Sequence, residues 1–254
     1  MSPGEIAAIF VAGLGAGLIN AVVGSGTLFT FSTLVALGVP PVIANVSNTV
    51  GLVPGSVSAA VGYRRELVGQ RARVLRLASA SLVGGVLGAI LLLALPEKAF
   101  STIVPALIGL GIALVLFGPP ISARIAARHE RTGGLPDFGA WWVWPGVLLC
   151  GVYGGYFGAA QGVLLMAVMG LGVPETLQRL NGVKNVLAAI VNAIAGLIFI
   201  VVAEVNWQVV AVIAVSSVIG AQVGARYGRR LPDAALRAAI VTVGTVALVV
   251  FLRR

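Results

Sequence analysis

The sequence predicts an all-α polytopic membrane protein built from two inverted-topology repeats of about five segments each, with broken or re-entrant half-helices. Three observations predict it. The first is composition: 59% of the 254 residues are hydrophobic and only 10% are charged, against roughly 25% charged in soluble domains, and mean hydropathy is +1.05. The second is an internal echo. Leu-Gly-Val-Pro occurs at 37–40 and again at 171–174, Ala78–Ala89 reads like Ala214–Ala225, and Leu95-Pro96-Glu97 like Leu231-Pro232-Asp233. The offset is 134 for the first pair and 136 for the others, so one two-residue insertion between Pro174 and Asn181 aligns the halves. Repeats in so apolar a chain point to a shared site between two halves. The third is arginine placement, which sets direction.

Continuous apolar runs, which do not alternate as barrel strands do, predict helices at 5–23, 26–38, 42–62, 72–94 and 98–117. The second half repeats them at 139–157, 160–172, 176–203, 206–226 and 234–252. Residues 1–117 form one repeat and 139–254 the other; the charged stretch 118–138 is a cytoplasmic connector. No Lys or Arg precedes the first apolar run, so 5–23 reads as part of the mature protein. Arginines gather at 64–76, at 124–131 and at 226–237, and all three clusters belong on the cytoplasmic side. The loop equivalent to 64–76, at 200–212, has no Lys or Arg, so equivalent loops face opposite sides and the repeat is inverted. Both termini then fall outside the cytoplasm.

The second segment of each half is short. Gly24-Ser25-Gly26 and Gly158-Ala159-Ala160-Gln161-Gly162 precede these segments. A 12-residue helix spans only ~18 Å of a ~30 Å hydrocarbon core. Each pair is a hairpin or a broken helix whose tip lies at membrane depth, which is tolerated where backbone lines a cavity. Glycines that only allow close packing are the plainer alternative.

Polar side chains inside a span are costly and mark function. The offset pairs Asn45 with Asn181, Thr49 with Asn185 and Ser56 with Asn192, each set lying within a ~40° helical stripe. It also pairs Asn48 with Lys184. The candidate substrate-binding residues are therefore Asn45, Asn48, Thr49, Ser56, Asn181, Lys184, Asn185 and Asn192, with Ser25 and Gln161 at the breaks. Lys184 is the cation that holds an anion, helped by backbone N–H groups after the breaks; the alternatives are a snorkelling anchor and interhelical glue. Pro54 kinks the third segment. Gly84-xxx-Gly88 and Gly220-xxx-Gly224 allow close helix packing within the chain or across a homodimer. Trp141, Trp142 and Trp144 read as interface anchors beside membrane lipids, and the lone Cys150 as a small buried residue.

An enzyme is not supported. The single histidine, His129, lies in the connector, and there is no metal-ligand cluster or phosphate loop. No cofactor is implied, and the basic charge of +9 suits anionic headgroups better than nucleic acid. All Asp and Glu lie near segment ends, so proton coupling through a buried acid has no carrier.

Gly24-Ser25-Gly26 with Leu-Gly-Val-Pro, Asn45-Val46-Ser47-Asn48-Thr49 and Val61-Gly62-Tyr63-Arg64-Arg65-Glu66-Leu67 resemble the first half of the sulfite exporter TauE/SafE family of membrane permeases. Gly154–Gly162, Asn181-Gly182-Val183-Lys184-Asn185 and Asn206-Trp207 resemble its second half. The resemblance covers nearly the whole chain. It implies a prokaryotic inner-membrane transporter of small anions such as sulfite or organosulfonates. A membrane-embedded assembly or regulatory partner without cargo is the other class that fits the residues.

Overall fold

The computed structural model describes residues 1–129 and 139–227 and scattered positions between 238 and 249; of 118–129 it describes the backbone. Among these residues every regular element is an α-helix: α1 (Pro3–Val22), α2 (Thr27–Ala36), α3 (Pro41–Gly62), α4 (Arg71–Ala94), α5 (Glu97–His129), α6 (Val143–Tyr156), α7 (Gln161–Gly172), α8 (Leu177–Val202) and α9 (Trp207–Tyr227). α1, α4, α5 as far as Phe117, α8 and α9 are long and apolar enough to cross a membrane. The chain is a multi-pass membrane protein.

Local chemistry explains the ends. Ser2 and Glu5 cap the start of α1 reciprocally, the hydroxyl accepting from the Glu5 N–H and the carboxylate from the Ser2 N–H. Thr176 caps α8 through the Arg179 N–H. α5 is longer than the apolar run 98–117. It continues through Gly118-Pro119-Pro120 to His129, because Ala123, Arg124, Ala126, Ala127 and Arg128 are strong helix formers and prolines cost a membrane helix less than a soluble one. The rest of the connector, 130–138, and most of the expected helix at 234–252 lie outside the described residues.

The two short helices fold back on the helices before them. In the first hairpin, a methyl group at Gly15 would touch Phe29 and one at Gly26 would meet the backbone of Ala16. In the second, Gly146 packs on Val168, and the Ala140 N–H donates to the Gly172 carbonyl at 2.7 Å where the hairpin leaves. Each short helix thus packs back along the helix before it, so each pair is a helical hairpin.

Small residues set the remaining packing. Gly84 and Gly88 of α4 lie against the Leu148 and Val152 carbonyls of α6, and Gly220 and Gly224 of α9 against the Leu14 and Leu18 carbonyls of α1. The two glycine pairs are thus used inside the chain. Contacts of Gly51 with Ile213 and Gly62 with Ala225 run α3 parallel to α9, whereas Gly182 against Tyr63 and Gly196 against Val50 run α3 antiparallel to α8. Outside this core, Val11, Leu75, Leu87, Leu197, Val201 and Val215 are exposed, an apolar surface that lipid covers.

The hairpin tips touch. Gly24, at φ +90°, packs on Gly162, whose N–H donates to the Gly24 carbonyl at 3.0 Å. A side chain at Gly24 meets backbone and also strains a positive φ. Gly24→Ala should therefore lower thermal stability by about 2 kcal/mol or more, the scale of core overpacking. Gly4→Ala, with open space around it, should change nothing. Equal melting of both variants in detergent would refute this account of the contact.

Candidate functional site

Each hairpin ends a helix inside the molecule and leaves carbonyls without helical partners. At the end of α1 these carbonyls are taken by α8. The Lys184 Nζ donates to the Asn20 carbonyl at 2.9 Å and to the Ala21 carbonyl at 3.4 Å. The amides of Asn181 and Asn185 donate to the same Ala21 oxygen at 3.2 and 3.1 Å. At the end of α6 the helper comes from α3: the Asn45 amide donates to the Tyr156 carbonyl at 2.9 Å. Asn45 and Asn181, equivalent in sequence, do equivalent work on opposite hairpins.

Beside the touching tips lies a small cavity of about 20 Å³. Five of the candidate residues line it: Ser56, Gln161, Lys184, Asn185 and Asn192. Lys184 is wholly buried, so it is no snorkelling anchor. The Asn192 amide donates to the Ser56 hydroxyl at 2.9 Å, so one matched pair meets directly. The other five do not line the cavity. Asn45 and Asn181 turn to the hairpin carbonyls, Thr49 donates back to the Asn45 carbonyl at 2.9 Å, and Ser25 and Asn48 are buried nearby without a hydrogen-bond partner among the described residues.

The first half-helix amides are also committed. The Gly26 N–H goes to the Asn20 side chain at 2.7 Å, and the Gly162 N–H to Gly24. Asn20 and Thr27 are cavity residues that sequence reasoning missed. The repeat criterion passed over Asn20 because its counterpart is Gly154. The structure shows why: the Gln161 side chain fills the space a Gly154 side chain would need. One half brings its amide from before the break, the other from after it.

Polar locks close the two ends. At the arginine-rich end, Glu175 pairs with Arg73 at 3.2 Å and Arg179 at 2.9 Å, and Arg179 also donates to the Val68 carbonyl at 3.0 Å. Arg179 is therefore a loop clamp. At the other end the Asn206 N–H donates to the Ser47 hydroxyl at 2.9 Å. Burial alone would raise the Glu175 carboxyl. Hydrogen bonds from Arg73 and Arg179 and the Arg179 charge outweigh it and hold the group below the usual carboxylate range. A depressed folded value means the stabilisation is present above the ordinary carboxylate pKa and is lost as pH falls through the folded one. Glu175→Gln should melt below the parent at neutral pH, and the gap should close on acidification below about pH 4. A gap that is unchanged or wider in acid would contradict the clamp.

Comparison with known proteins points to membrane transporters. The family model described as sulfite exporter TauE/SafE matches residues 9–251. The chain is 31% identical over 229 residues to the probable membrane transporter protein ORF9 of a Sinorhizobium species, covering 87% of this chain and 82% of that one. It is 28% identical over 252 residues to the probable membrane transporter protein YfcA of Escherichia coli K12, covering 97% and 89%, and 26% identical over 229 residues to a probable membrane transporter protein of Haemophilus influenzae, covering 87% and 84%. No solved structure gives a significant match. With two helical hairpins meeting beside a small cavity and a family match across nearly its full length, the chain belongs to the sulfite exporter TauE/SafE family of membrane transporters.

Proposed function

We propose that this protein is a permease of the prokaryotic inner membrane that moves small sulfur-containing anions, sulfite or organosulfonates, through a site at the interface of two inverted repeats. The observation that carries the reading is Lys184. It is the one buried Lys, Arg, Asp or Glu among the described residues, and it lines a cavity whose other lining residues are uncharged: amides, hydroxyls, glycines and two alanines. A cation held away from water attracts an anion far more strongly than one in solution and repels other cations.

The parallel and antiparallel contacts support the inverted relation: α1, α3 and α9 run one way and α8 the other. The cavity is large enough for about one water, so this is a closed form of the site. Two of the three N–H donors of Lys184 rest on α1 carbonyls. An arriving anion competes with those carbonyls for the ammonium, and alternating release of the two end locks would open the cavity to each side in turn. The family name supports sulfite-like cargo; the names of the relatives give no substrate.

The test is anion-dependent thermal stabilisation of purified protein with sulfite, an organosulfonate, sulfate and chloride, since a ligand that binds only the folded state raises its melting temperature. Lys184→Ala should weaken anion binding by roughly 1–3 kcal/mol, the range for charge-assisted hydrogen bonds. Lys184→Gln keeps hydrogen bonding without charge and should recover little of the loss. An unaltered response in Lys184→Ala, or no anion response in the parent, would reject the reading and favour a partner without cargo.

A further inference from the structure

We infer that the end of α6 is a binding site for a monovalent alkali cation, the counterpart of the place that the Lys184 ammonium fills at the end of α1. This inference deepens the transport reading and rests on its repeat relation. The correspondence is residue by residue. Asn181 holds the Ala21 carbonyl at the end of α1, and its counterpart Asn45 holds the Tyr156 carbonyl at the end of α6, at 3.2 and 2.9 Å. One turn further along α8, Lys184 places its ammonium on the Asn20 and Ala21 carbonyls. The same position on α3 is Asn48. A helix C-terminus carries negative potential from its last carbonyls. At the end of α1 the Lys184 ammonium answers it. At the end of α6 only the neutral Asn45 amide does so among the described residues.

The unpartnered side chains of Asn45 and Asn48 on α3 are the second observation. Asn48 is 1% exposed and Asn45 0%. Both side-chain atoms of Asn48 and the oxygen of Asn45 have no hydrogen-bond partner among the described residues. Buried polar atoms are almost always satisfied. The Asn45 amide oxygen at the end of α6 and the Asn48 amide one turn along α3 offer neutral oxygens for a cation. Among the described residues no Asp or Glu is buried and no group of metal-binding side chains occurs. A divalent ion would lack the carboxylates it uses. A monovalent ion suits neutral amide and carbonyl oxygens, and half-helix C-termini in transporters hold such ions by the same physics. A cation there would also place positive charge near both hairpin ends, favouring an anion between them and linking anion affinity to the ion.

Thermal unfolding of the detergent-solubilised full chain tests this without any transported anion, in sodium, potassium, lithium and choline chloride at constant ionic strength. One alkali ion should raise the melting temperature above the choline value by about 3 °C or more per tenfold of concentration beyond its dissociation constant. Asn48→Ala should abolish that rise. Asn48→Asp should bind the ion at least tenfold more tightly, which keeps the test alive if the alanine variant does not fold. Asn48→Lys, which copies the other half, should melt alike in all four salts. The inference is overturned if no alkali ion exceeds choline, as it would be were the orphan groups only hydrated, or if Asn48→Ala and Asn48→Asp keep the parent response. Because sulfite is absent, failure here leaves the Lys184 result standing, and failure of Lys184 leaves this one.

Discussion

A helix that stops inside an apolar medium must have its last carbonyls satisfied by something, and the molecule is organised around that requirement. Each unpartnered backbone group in hydrocarbon costs several kcal/mol. Here α8 answers for α1 through Lys184, Asn181 and Asn185, and α3 answers for α6 through Asn45. Asn45 of the α3 stripe and Asn181 and Asn185 of the α8 stripe serve this purpose, with Lys184 beside them. The cavity beside them follows from it, and under the proposed function the same cation and amides hold the anion.

Close approach is the second condition. The hairpin tips meet through Gly24 and Gly162, backbone to backbone, and the hairpins are seated by α4 on α6 and α9 on α1 through facing glycines. Side chains at those positions would push the tips apart and leave the carbonyls of α1 beyond the reach of Lys184. Packing and polar satisfaction are therefore coupled, because the glycine contacts that seat the hairpins also hold the capped helix ends in reach of α3 and α8. The Glu175 clamp and the Ser47–Asn206 bond tie the surrounding helices at opposite ends of α3 and α8.

Much of this was legible in the sequence, because it is written in periodicity and punctuation. Helix bounds follow from apolar runs, the hairpins from Gly24-Ser25-Gly26 and Gly158–Gly162, and the meeting of Ser56 with Asn192 from a constant offset. What escaped is what depends on direction in space. Asn45 and Asn181 do not face one another but reach across to opposite hairpins, because the stripe angle gives a face and not a partner. Asn20 was invisible to a search for matched pairs because its place is taken by glycine in the other half, where Gln161 fills the room. The reach of α5 past Pro119 and Pro120 escaped because proline marks a helix end in water more firmly than in a membrane protein.

The most direct measurement of the central claim is flux. Proteoliposomes holding the parent protein should move sulfite or an organosulfonate faster than protein-free vesicles, with sulfate and chloride carried less well. Vesicles holding the same amount of folded Lys184→Gln should fall to the protein-free rate. Transport by Lys184→Gln at the parent rate would contradict the account, since the buried ammonium would then serve only to cap α1.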